Sequence, residues 1–521
     1  MGSPPALAEL ECLETGFALL YRSATEVFKV RKPVRLRLSE ERLDLTSLDG
    51  RHAACLEEER VNQQLAPGVA CGVVPVTRDA SGRVCFGGAG APVDWALRMH
   101  RLRDSERAED RLAAGTLGDE HLRAVARRLA AFHERMRGAA SAEAGPVLET
   151  LRARIALRIE APDWPPRTPL PGEIERIEAW QLDFLAAETE RFLHRATSDS
   201  IRDGHGELAL DHVFIDAAGG VQILAGLEVS PRLRNADVVA DIALLAIDLA
   251  ARHRADLSEC FVAEYARVAN DFELYPLLDF YASLRATIRA KLDWLCADRF
   301  ATDSNSAARY RDRARRFIAL ALAAPRRSLL PPSVVVVGGQ VASGKSTLAL
   351  QIARRMGAPV VGSDPTRDYL LGARLNEDLH EVKWEESYEP GFAERVYGEV
   401  LHRAGEVLRS GRAVVIDGCF RSRDERMRAR ALAQRSGVPF LFIEARVAPE
   451  VQRQRLAERA RRDSVPVDDW LEIADQLRAQ WQPVTEFAEA EQLVLDTSPP
   501  LDRNQDAIEA MLPTWPPSLT G

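Results

Sequence analysis

The sequence predicts two regions of different fold class, an α+β region over residues 1–328 and an α/β region over residues 329–521. In the second region strand and helix patterns alternate, which predicts a parallel sheet with helices on both faces. In the first region, short strand candidates up to Met99 are followed by mostly helical patterns from Asp119 onward. The proline-rich run Pro325–Pro332 separates the two and has the composition of a linker, so we expect the boundary near residue 329.

Composition places the chain among globular proteins of two or three domains. It has 521 residues, 46% hydrophobic and 28% charged, and this length exceeds what one core normally covers. We expect no membrane span, because no apolar stretch approaches the necessary length. We expect no secretory signal, because Met1–Glu14 is acidic and lacks a basic segment followed by an apolar core. The seven cysteines form no C-x-x-C pair, which argues against zinc sites and disulfides and favours the cytoplasm. The formal charge of −9 argues against bulk binding to nucleic acid.

The first region combines a strand-rich part with a helical part. Its strand candidates are Leu19–Tyr21, Val27–Val30, Val34–Leu38, Gly72–Val76, Val84–Phe86 and Trp95–Met99. Leu56–Leu65 is predicted as a helix among them, and Val213–Ile215 with Val221–Leu224 as a later strand pair. The loop Pro162–Pro169 interrupts the region, and an arginine-rich helix is predicted at Ser306–Ala323. A small strand-rich lobe before a larger helical lobe suggests the two-lobed architecture of kinases.

The second region contains five predicted strands, each followed by a helical pattern or a turn. The strands are Val334–Val337, Pro359–Gly362, Ala413–Asp417, Phe440–Ala445 and Leu493–Leu495. The clearest helices are Gly391–Arg409 and Arg423–Ser436, and the proline-rich tail after Thr497 is predicted to be irregular. Ligands of such sheets bind at the carboxyl ends of the strands.

A phosphate-binding loop follows the first of these strands. Its residues read G-x-x-x-x-G-K-S-T, and they are Gly339, Gln340, Val341, Ala342, Ser343, Gly344, Lys345, Ser346 and Thr347. The glycines allow a sharp turn that aims backbone N–H groups at phosphate oxygens, and the next helix begins at the site. Lys345 can reach the β and γ phosphates, and the Ser346 hydroxyl can bind Mg²⁺. The alternative is a glycine-rich turn that only joins strand to helix.

Two aspartates follow strands of the same predicted sheet. Asp364 comes after the second strand, where its carboxylate would orient an acceptor hydroxyl or accept its proton; alternatively, Ser363 or Asp364 caps a helix. Asp417 ends the third strand, where phosphate-loop enzymes place a carboxylate that holds Mg²⁺. The alternative for Asp417 is a capping residue at the end of the strand.

Arginines crowd the segment after the fourth strand: Arg453, Arg455, Arg459, Arg461 and Arg462. Arg455, Arg459 and Arg462 share one helix face, and a mobile arginine lid would neutralise the charge of the transferring phosphoryl group. A solvated face that pairs with Glu450 and Glu458 is the alternative. Arg367 and Arg421 lie near two strand ends and are candidates for binding the acceptor.

Residues 333–498 resemble a family of small phosphate-loop kinases that includes gluconate kinases, zeta toxins, chloramphenicol phosphotransferases and the kinase domains of polynucleotide kinases. The shared pattern is the phosphate loop, S-D-x-x-R at Ser363–Arg367, V-V-I-D-G at Val414–Gly418 and the arginine-rich segment. The resemblance implies a kinase that uses ATP and Mg²⁺, with Asp364, Lys345, Arg455 and Arg459 in catalytic roles and Ser346 and Asp417 at the metal. It does not name the acceptor.

Residues 10–300 resemble kinases of the aminoglycoside phosphotransferase type, in particular a bacterial subgroup fused to a phosphate-loop domain. The clearest segment is G-H-G-E-L at Gly204–Leu208, followed by D-H-V-F-I at Asp211–Ile215. The resemblance implies that Lys29 binds nucleotide and that Glu58 is its helix partner. Trp95–Met99 would lead into the hinge, and Ala130–His133 fits the first helix of the large lobe.

This first region departs from the resembled pattern at two positions. The catalytic aspartate is Glu207 here, and a base displaced by ~1 Å can lose on the order of 10²-fold in rate. The metal-binding aspartate of the D-x-x-E segment is Ala225, although Glu228 is present. His212 replaces an asparagine of better-known relatives, which is usual in the fused subgroup. The altered site, with His205, Glu207, His212 and Glu228, is therefore predicted to be catalytically impaired, unless Glu228 or Asp237 holds the metal.

These patterns predict an ATP- and Mg²⁺-dependent phosphotransferase that acts on a hydroxyl of a small molecule. Catalysis is assigned to the second region, and the first region binds substrate or regulates. One alternative reverses these roles, and another is a nucleotide-dependent binding module. A third is a 5′-hydroxyl polynucleotide kinase, against which the acidic residues between 377 and 389 argue.

Overall fold

The computed structural model describes residues 5–38, 41–88, 90–138, 144–160, 168–225, 234–325, 329–372, 390–463 and 466–516. It divides into two compact units. Unit 1 comprises Met1–Ser258 and Leu278–Pro325, and unit 2 comprises Glu259–Leu277 and Arg326–Gly521. Chain order alone would place Glu259–Leu277 in the first region. No helix among the described residues is both long and apolar enough to cross a membrane.

Unit 1 contains an antiparallel sheet of six strands in the order β1-β2-β3-β8-β6-β7, and β4 pairs with β5 and β9 in a smaller sheet. These strands are β1 Glu11–Glu14, β2 Ala18–Arg22, β3 Glu26–Arg31, β4 Arg35–Leu38, β5 Glu41–Asp44, β6 Ala70–Arg78, β7 Val84–Phe86, β8 Pro92–His100 and β9 Ile159–Glu160. Helix α1 (Leu48–Leu65) packs against β6 and β8. The rings of Phe28 and Phe86 stack at 4.3 Å in the core of the six-stranded sheet.

The rest of unit 1 is mostly helical, as the sequence predicted. Its helices up to residue 251 are α2 Ala108–Ala113, α3 Asp119–Arg135, α4 Ala144–Ile155, α5 Glu173–Ala187, α6 Thr189–Thr197 and α7 Val239–Ala251. Two antiparallel ribbons lie among them, β10 (Ile201–Asp203) with β13 (Asn235–Asp237) and β11 (Val213–Ile215) with β12 (Val221–Ile223). Three further helices follow: α8 Ala255–Ala269, most of which belongs to unit 2, α9 Tyr275–Arg299, which begins in unit 2, and α10 Ser304–Ala323.

Unit 2 is built on a parallel sheet of five strands in the order β15-β16-β14-β17-β18. The strands are β14 Val334–Gly339, β15 Val360–Gly362, β16 Val414–Asp417, β17 Phe440–Arg446 and β18 Gln492–Asp496. The helices are α11 Lys345–Met356, α12 Ser363–Leu370, α13 Pro390–Arg409, α14 Arg423–Ser436, α15 Pro449–Asp463, α16 Val467–Ala479 and α17 Gln505–Met511.

The central strand of this sheet is fully buried, because its four valines have no exposed surface and β-branched side chains suit a strand covered on both faces. Gly338 is required by packing, since a Cβ at this position would lie 2.4 Å from Cζ of Phe442. Helix α14 begins with a reciprocal capping box between Ser422 and Glu425 and ends at Gly437, whose φ is +66°. Local signals in the sequence therefore define both ends of this helix.

The five predicted strands of unit 2 are confirmed, with ends shifted by at most one residue except for β14, which continues two residues further, to Gly339. In unit 1 the six predicted strands of the first part are also present, whereas the sequence missed the edge strands β1 and β5 and the short strands β9, β10 and β13. These strands are two to four residues long, too short for a clear period of alternation. The prediction of an irregular tail after Thr497 is wrong in part, since α17 forms there. Residues 162–167 of the predicted loop lie outside the described residues.

Candidate active site

The phosphate loop connects β14 to α11 with two glycines in conformations that other residues avoid. Gly339 has φ +152°, and a Cβ there would lie 2.6 Å from the carbonyl oxygen of Ala445. Gly344 has φ +79°, and a Cβ there would lie 3.0 Å from the guanidinium of Arg455. Ala342 also adopts a positive φ of +58°. The loop thus bends tightly enough to direct its backbone toward a ligand above the N-terminus of α11.

Side chains from distant parts of unit 2 hold the backbone of this loop. The Thr497 hydroxyl donates a hydrogen bond to the Ser343 carbonyl at 2.5 Å, and the Gln452 amide donates one to the Val341 carbonyl at 2.7 Å. Thr497 and Gln452 lie outside every motif found in the sequence. The loop is therefore held in shape before any ligand binds, which lowers the entropic cost of binding.

Lys345 lies at the start of α11 with its ammonium group directed back over the loop. The ammonium donates to the Gln340 carbonyl at 3.2 Å. Burial disfavours the charged form, but the nearby Cys419, Asp417 and Asp364 outweigh it and raise the pKa of Lys345. The lysine is therefore protonated at neutral pH and can neutralise phosphate charge.

Asp417 lies at the same sheet edge as the loop. It is in register with Val337 of β14 and with Gly362 of β15, so the carboxyl ends of three neighbouring strands are aligned. One carboxylate oxygen of Asp417 is buried without a hydrogen-bond partner among the described residues, and the nearby Ser346 hydroxyl favours the charged form of the carboxylate. Burial is the main cause that raises the pKa of Asp417.

This arrangement fits Mg²⁺. The ion prefers oxygen ligands and is usually held by one or two carboxylates together with substrate phosphates. Asp417 offers an unpartnered buried oxygen, and Ser346 offers a hydroxyl beside it. Bound Mg²⁺ would lower the energy of the developing phosphate charge.

Asp364 lies in the first turn of α12, two residues beyond the end of β15. The N-cap residue is Gly362, and the Asp364 carboxylate accepts a hydrogen bond from Arg367 at 2.6 Å. Partial burial opposes ionisation of Asp364, but Arg367, Lys345 and Arg459 outweigh it and lower the pKa of Asp364, so the carboxylate is ionised at neutral pH. The side chain is 59% exposed, so it is accessible to a second substrate.

The arginine-rich segment forms α15, and its members have different surroundings. Arg455 donates to the carbonyl of Thr497 at 2.6 Å. Arg459 lies 4.2 Å above the ring of Trp470, and its guanidinium is 3.9 Å from the Asp364 carboxylate. Arg453 and Arg461 are exposed, and the side chain of Arg462 is outside the described residues. Arg459 thus reaches the predicted catalytic carboxylate, whereas Arg455 supports the phosphate loop.

Arg367 and Arg421, the two arginines predicted to bind the acceptor, have different surroundings. Arg367 is bonded to Asp364 and lies at the site. The backbone carbonyl of Arg421 accepts hydrogen bonds from the Gln482 N–H at 2.9 Å and from Arg426 at 3.2 Å. These contacts fix the course of the chain after β16.

A pocket of about 150 Å³ opens beside the two aspartates. Ser346, Asp364 and Asp417 border it, together with four residues that sequence reasoning missed: Arg267, Asn270, Phe272 and Arg403. The first three belong to Glu259–Leu277, far from the phosphate loop in the sequence but within unit 2. No local pattern marks these residues, because they meet the loop only through the tertiary fold.

In unit 1, Lys29 and Glu58 form the ion pair that the resemblance implied. The Lys29 ammonium is 2.6 Å from one oxygen of Glu58, and Arg31 is 2.7 Å from the other. Burial is the main cause that lowers the pKa of Lys29, with Arg31 adding to it. Glu58 is shared between two cations, so this carboxylate both positions Lys29 and neutralises Arg31.

The segment around His205 forms a buried network in which Glu207 is bonded to Arg289. Burial opposes ionisation of Glu207, but Arg289 and His212 outweigh it and lower its pKa. The Asp241 carboxylate accepts hydrogen bonds from the backbone N–H groups of His205 and Gly206 at 2.7 and 2.8 Å. The carboxylate that replaces the catalytic aspartate of the resembled kinases is thus paired with a guanidinium.

Asp237 and Glu228 were the two residues of unit 1 that could hold a metal in place of the missing aspartate. Asp237 is buried and accepts two hydrogen bonds from Arg195, at 2.6 and 2.8 Å, so both of its oxygens are engaged in an ion pair. Glu228 lies outside the described residues. The backbone N–H of Ala225 donates to the side-chain oxygen of Asn62 in α1 at 2.9 Å.

Comparisons with known proteins match both the whole chain and its second part. A family described as AAA domain matches residues 334–484. Shikimate kinase of Francisella philomiragia is 29% identical over 150 residues, which cover 28% of this chain and 76% of the kinase. A solved gluconokinase from Sinorhizobium meliloti is 20% identical and covers 36% of this chain and 93% of its own, with a TM-score of 0.24.

The matches over most of the chain are mycobacterial. Rv2004c of Mycobacterium tuberculosis and Mb2027c of Mycobacterium bovis, both named as uncharacterized proteins, are each 30% identical over 476 residues. The aligned part covers 90% of this chain and 90% of each relative. Residues 334–484 form a phosphate-loop domain, and the whole chain belongs to the family of Rv2004c and Mb2027c.

Proposed function

We propose that this protein is an ATP- and Mg²⁺-dependent phosphotransferase that moves the γ-phosphate to a hydroxyl of a small molecule, with catalysis in the phosphate-loop domain. One observation carries the proposal: Lys345, Ser346, Asp417 and Asp364 converge at the carboxyl edge of one parallel sheet. Such an edge is where nucleotide and second substrate meet in this class of fold.

Each residue has a chemical role in this reaction. The backbone of Gly339–Thr347 binds the phosphates, and Lys345 neutralises the β and γ groups. Ser346 and Asp417 would hold Mg²⁺, which would supply further positive charge to the phosphates. Arg459 lies where it can approach the transferring group from the side of Asp364.

Asp364 acts on the acceptor hydroxyl. Its lowered pKa makes it a weak base at neutral pH, and the loose transition state of phosphoryl transfer requires little proton removal before bond formation. Its main contribution is therefore to orient the hydroxyl for in-line attack. As the new phosphoester bond forms, the bond between the γ-phosphorus and the bridging oxygen breaks, ADP leaves, and the hydroxyl proton passes to the Asp364 carboxylate. Arg367 holds the carboxylate in place.

The similarity to a relative named shikimate kinase supports a kinase with a small acceptor. The match covers the phosphate-loop part of the chain and leaves the acceptor open. The acidic composition, with a net charge of −9, favours a small molecule over nucleic acid.

For the first domain, over residues 1–328, we propose a kinase-like fold that binds substrate or nucleotide without transferring phosphate. The Lys29–Glu58 ion pair supports the kinase-like assignment. The pairing of Glu207 with Arg289 supports the loss of catalysis, because the guanidinium competes for the carboxylate with an acceptor hydroxyl. The domain boundary near residue 329 is part of this proposal.

Phosphate transfer from γ-³²P-labelled ATP to a library of hydroxyl compounds tests the proposed function. The library includes a 5′-hydroxyl oligonucleotide, and ATP hydrolysis without acceptor is measured in parallel. We expect transfer by the wild type and its loss in Lys345→Ala, which lacks the cation facing the phosphates. Transfer that persists in Lys345→Ala, or hydrolysis alone with every acceptor, contradicts the proposal.

A further inference from the structure

The pocket beside Asp364 and Asp417 has one wall that the phosphate-loop sequence does not supply. Asn270 and Phe272 form this wall, and both belong to Glu259–Leu277, which is part of unit 2. The same pocket is lined by the residues proposed to bind Mg²⁺ and to orient the acceptor. A molecule that fills this pocket would therefore be close both to these groups and to Asn270.

We propose that Asn270 and Phe272 form the acceptor-binding wall of the phosphotransferase, and that the acceptor is a small neutral polyol or sugar. The proposal rests on the proposed function, and it assigns the recognition of the acceptor to residues outside 334–484. The Asn270 side-chain amide donates a hydrogen bond to an oxygen of the acceptor, and the Phe272 ring packs against a carbon face.

The orientation of the Asn270 amide follows from its neighbour. Arg403 has only donors, and its guanidinium lies 2.6 Å from Oδ1 of Asn270. The side-chain oxygen of Asn270 must therefore face Arg403, and the side-chain nitrogen points away from Arg403. That nitrogen is buried and has no hydrogen-bond partner among the described residues. An unpaired buried donor is costly, and a ligand oxygen at this point would remove the cost.

Charge in the pocket favours a neutral acceptor. Arg403 is buried and pairs with Glu399 at 2.7 Å, and Arg267 pairs with Glu264 at 2.8 Å. Arg267 and Arg403, which line the pocket, are thus each neutralised by a neighbouring carboxylate. The carboxylates of Asp364 and Asp417, which line the same pocket, would repel an anionic acceptor.

Arg403 acts as a positioning residue for this wall. Its guanidinium lies between the rings of Phe272 and Tyr369, 5.7 and 4.9 Å from their centroids, and donates to the Thr366 hydroxyl at 3.1 Å. These contacts connect α12, which carries Asp364, with the wall that carries Asn270. The two sides of the pocket are therefore held at a defined distance.

The volume of about 150 Å³ limits the acceptor. It corresponds to about five water molecules at roughly 30 Å³ each, and it is below the roughly 300 Å³ at which sites for drug-sized ligands begin. The pocket admits a small polyol or the reacting end of a sugar.

The test uses the full chain and matched pairs of acceptors. Neutral glycerol and D-glucose are compared with their anionic counterparts glycerate and D-gluconate, with ³²P transfer from ATP as the readout. Asn270→Gly suits the positive φ of +55° and removes the amide, and Asn270→Asp keeps the shape but loses the donor. Asn305→Asp, at an exposed asparagine of unit 1, is the matched control.

We expect both Asn270 variants to raise the KM for the neutral acceptor about 10-fold, the effect of one lost hydrogen bond to a buried donor. The KM for ATP should stay within about twofold, as should all constants of Asn305→Asp. An unchanged acceptor KM in both Asn270 variants overturns the proposed wall. Anionic acceptors that outperform their neutral counterparts overturn the proposed acceptor class.

A binding measurement separates this inference from the proposed function. Saturation-transfer NMR follows the same four compounds in the presence of Mg²⁺ and a non-hydrolysable ATP analogue. If no compound is phosphorylated but glycerol or D-glucose binds the wild type and not Asn270→Gly, the acceptor wall stands and the proposed catalysis fails. If neither neutral compound binds the wild type, the wall proposal is overturned.

Discussion

Arg455 is bonded to Thr497: its guanidinium donates to the Thr497 carbonyl at 2.6 Å and to the Thr497 hydroxyl at 3.3 Å. The same hydroxyl donates to the Ser343 carbonyl within the phosphate loop. The sequence placed Arg455 and Arg459 together as arginines facing the transferring phosphate. In the structure only Arg459 approaches Asp364, and Arg455 stabilises the loop through Thr497.

Arg455→Met and Thr497→Val should therefore act on the same step. Each is expected to raise the KM for ATP about 10-fold, because each removes part of the support of the phosphate loop. The KM for ATP of the double variant should rise much less than the 100-fold product of the two single effects, since the two residues are in contact. Initial rates at varied ATP measure this coupling. Arg453→Met, at an exposed position of the same helix, is the control, and fully multiplicative effects would refute the shared role.

Asp364→Asn should lower kcat for phosphoryl transfer about 100-fold and leave ATP affinity nearly unchanged. The amide keeps the size of the side chain but loses the charge that orients the acceptor hydroxyl. Rapid-quench measurement of transfer and calorimetry with an ATP analogue give the two quantities. Asp424→Asn, also in the first turn of a helix, is the matched control. Near-normal transfer by Asp364→Asn would show that this carboxylate has only a structural role.

Lys29→Met should leave phosphoryl transfer within about twofold of the wild type, because catalysis is assigned to unit 2. In a Lys345→Ala background, any remaining rise in Tm with ATP should come from unit 1 and should disappear when Lys29→Met is added. Calorimetric melting with and without ATP detects this difference. Loss of transfer in Lys29→Met alone would instead place catalysis in unit 1.

Acid should destabilise unit 1 through His205. Burial, with the neighbouring His212, lowers the pKa of His205 to about 4 in the folded protein, while an unfolded histidine has a pKa of about 6.5. Between these values the unfolded state binds more protons, so stability is retained above pH 6.5 and is lost as the pH falls toward 4. The expected decrease in the free energy of unfolding between pH 6.5 and pH 4 is on the order of 3 kcal/mol.

Denaturant unfolding of the full chain at several pH values measures this effect. His205→Gln should be less stable at pH 7, since the Nε2 of His205 lies 2.7 Å from the Leu224 carbonyl oxygen as a hydrogen-bond donor, but its stability should depend less on pH. A pH dependence equal to that of the wild type would exclude His205 as the titrating group.

Sequence patterns predicted most of the helices and strands, because the signals that define these elements lie within a few neighbouring residues. The valines of β14, the glycines of the phosphate loop and the capping box of α14 each act over a few neighbouring residues. The short strands β9, β10 and β13 have only two or three residues and form by pairing with distant partners, which a local window does not contain.

The sequence by itself determined the phosphate loop and the carboxylates at its sheet edge, since parallel strands bring their carboxyl ends together wherever the strands are recognised. Only the tertiary structure decided what surrounds them. Asn270 meets Arg403 across 133 positions and Thr497 meets Ser343 across 154. Such contacts form because packing brings buried polar groups to partners anywhere in the chain. The groups proposed to perform the transfer were therefore readable from motifs, whereas the wall proposed to choose the acceptor was not.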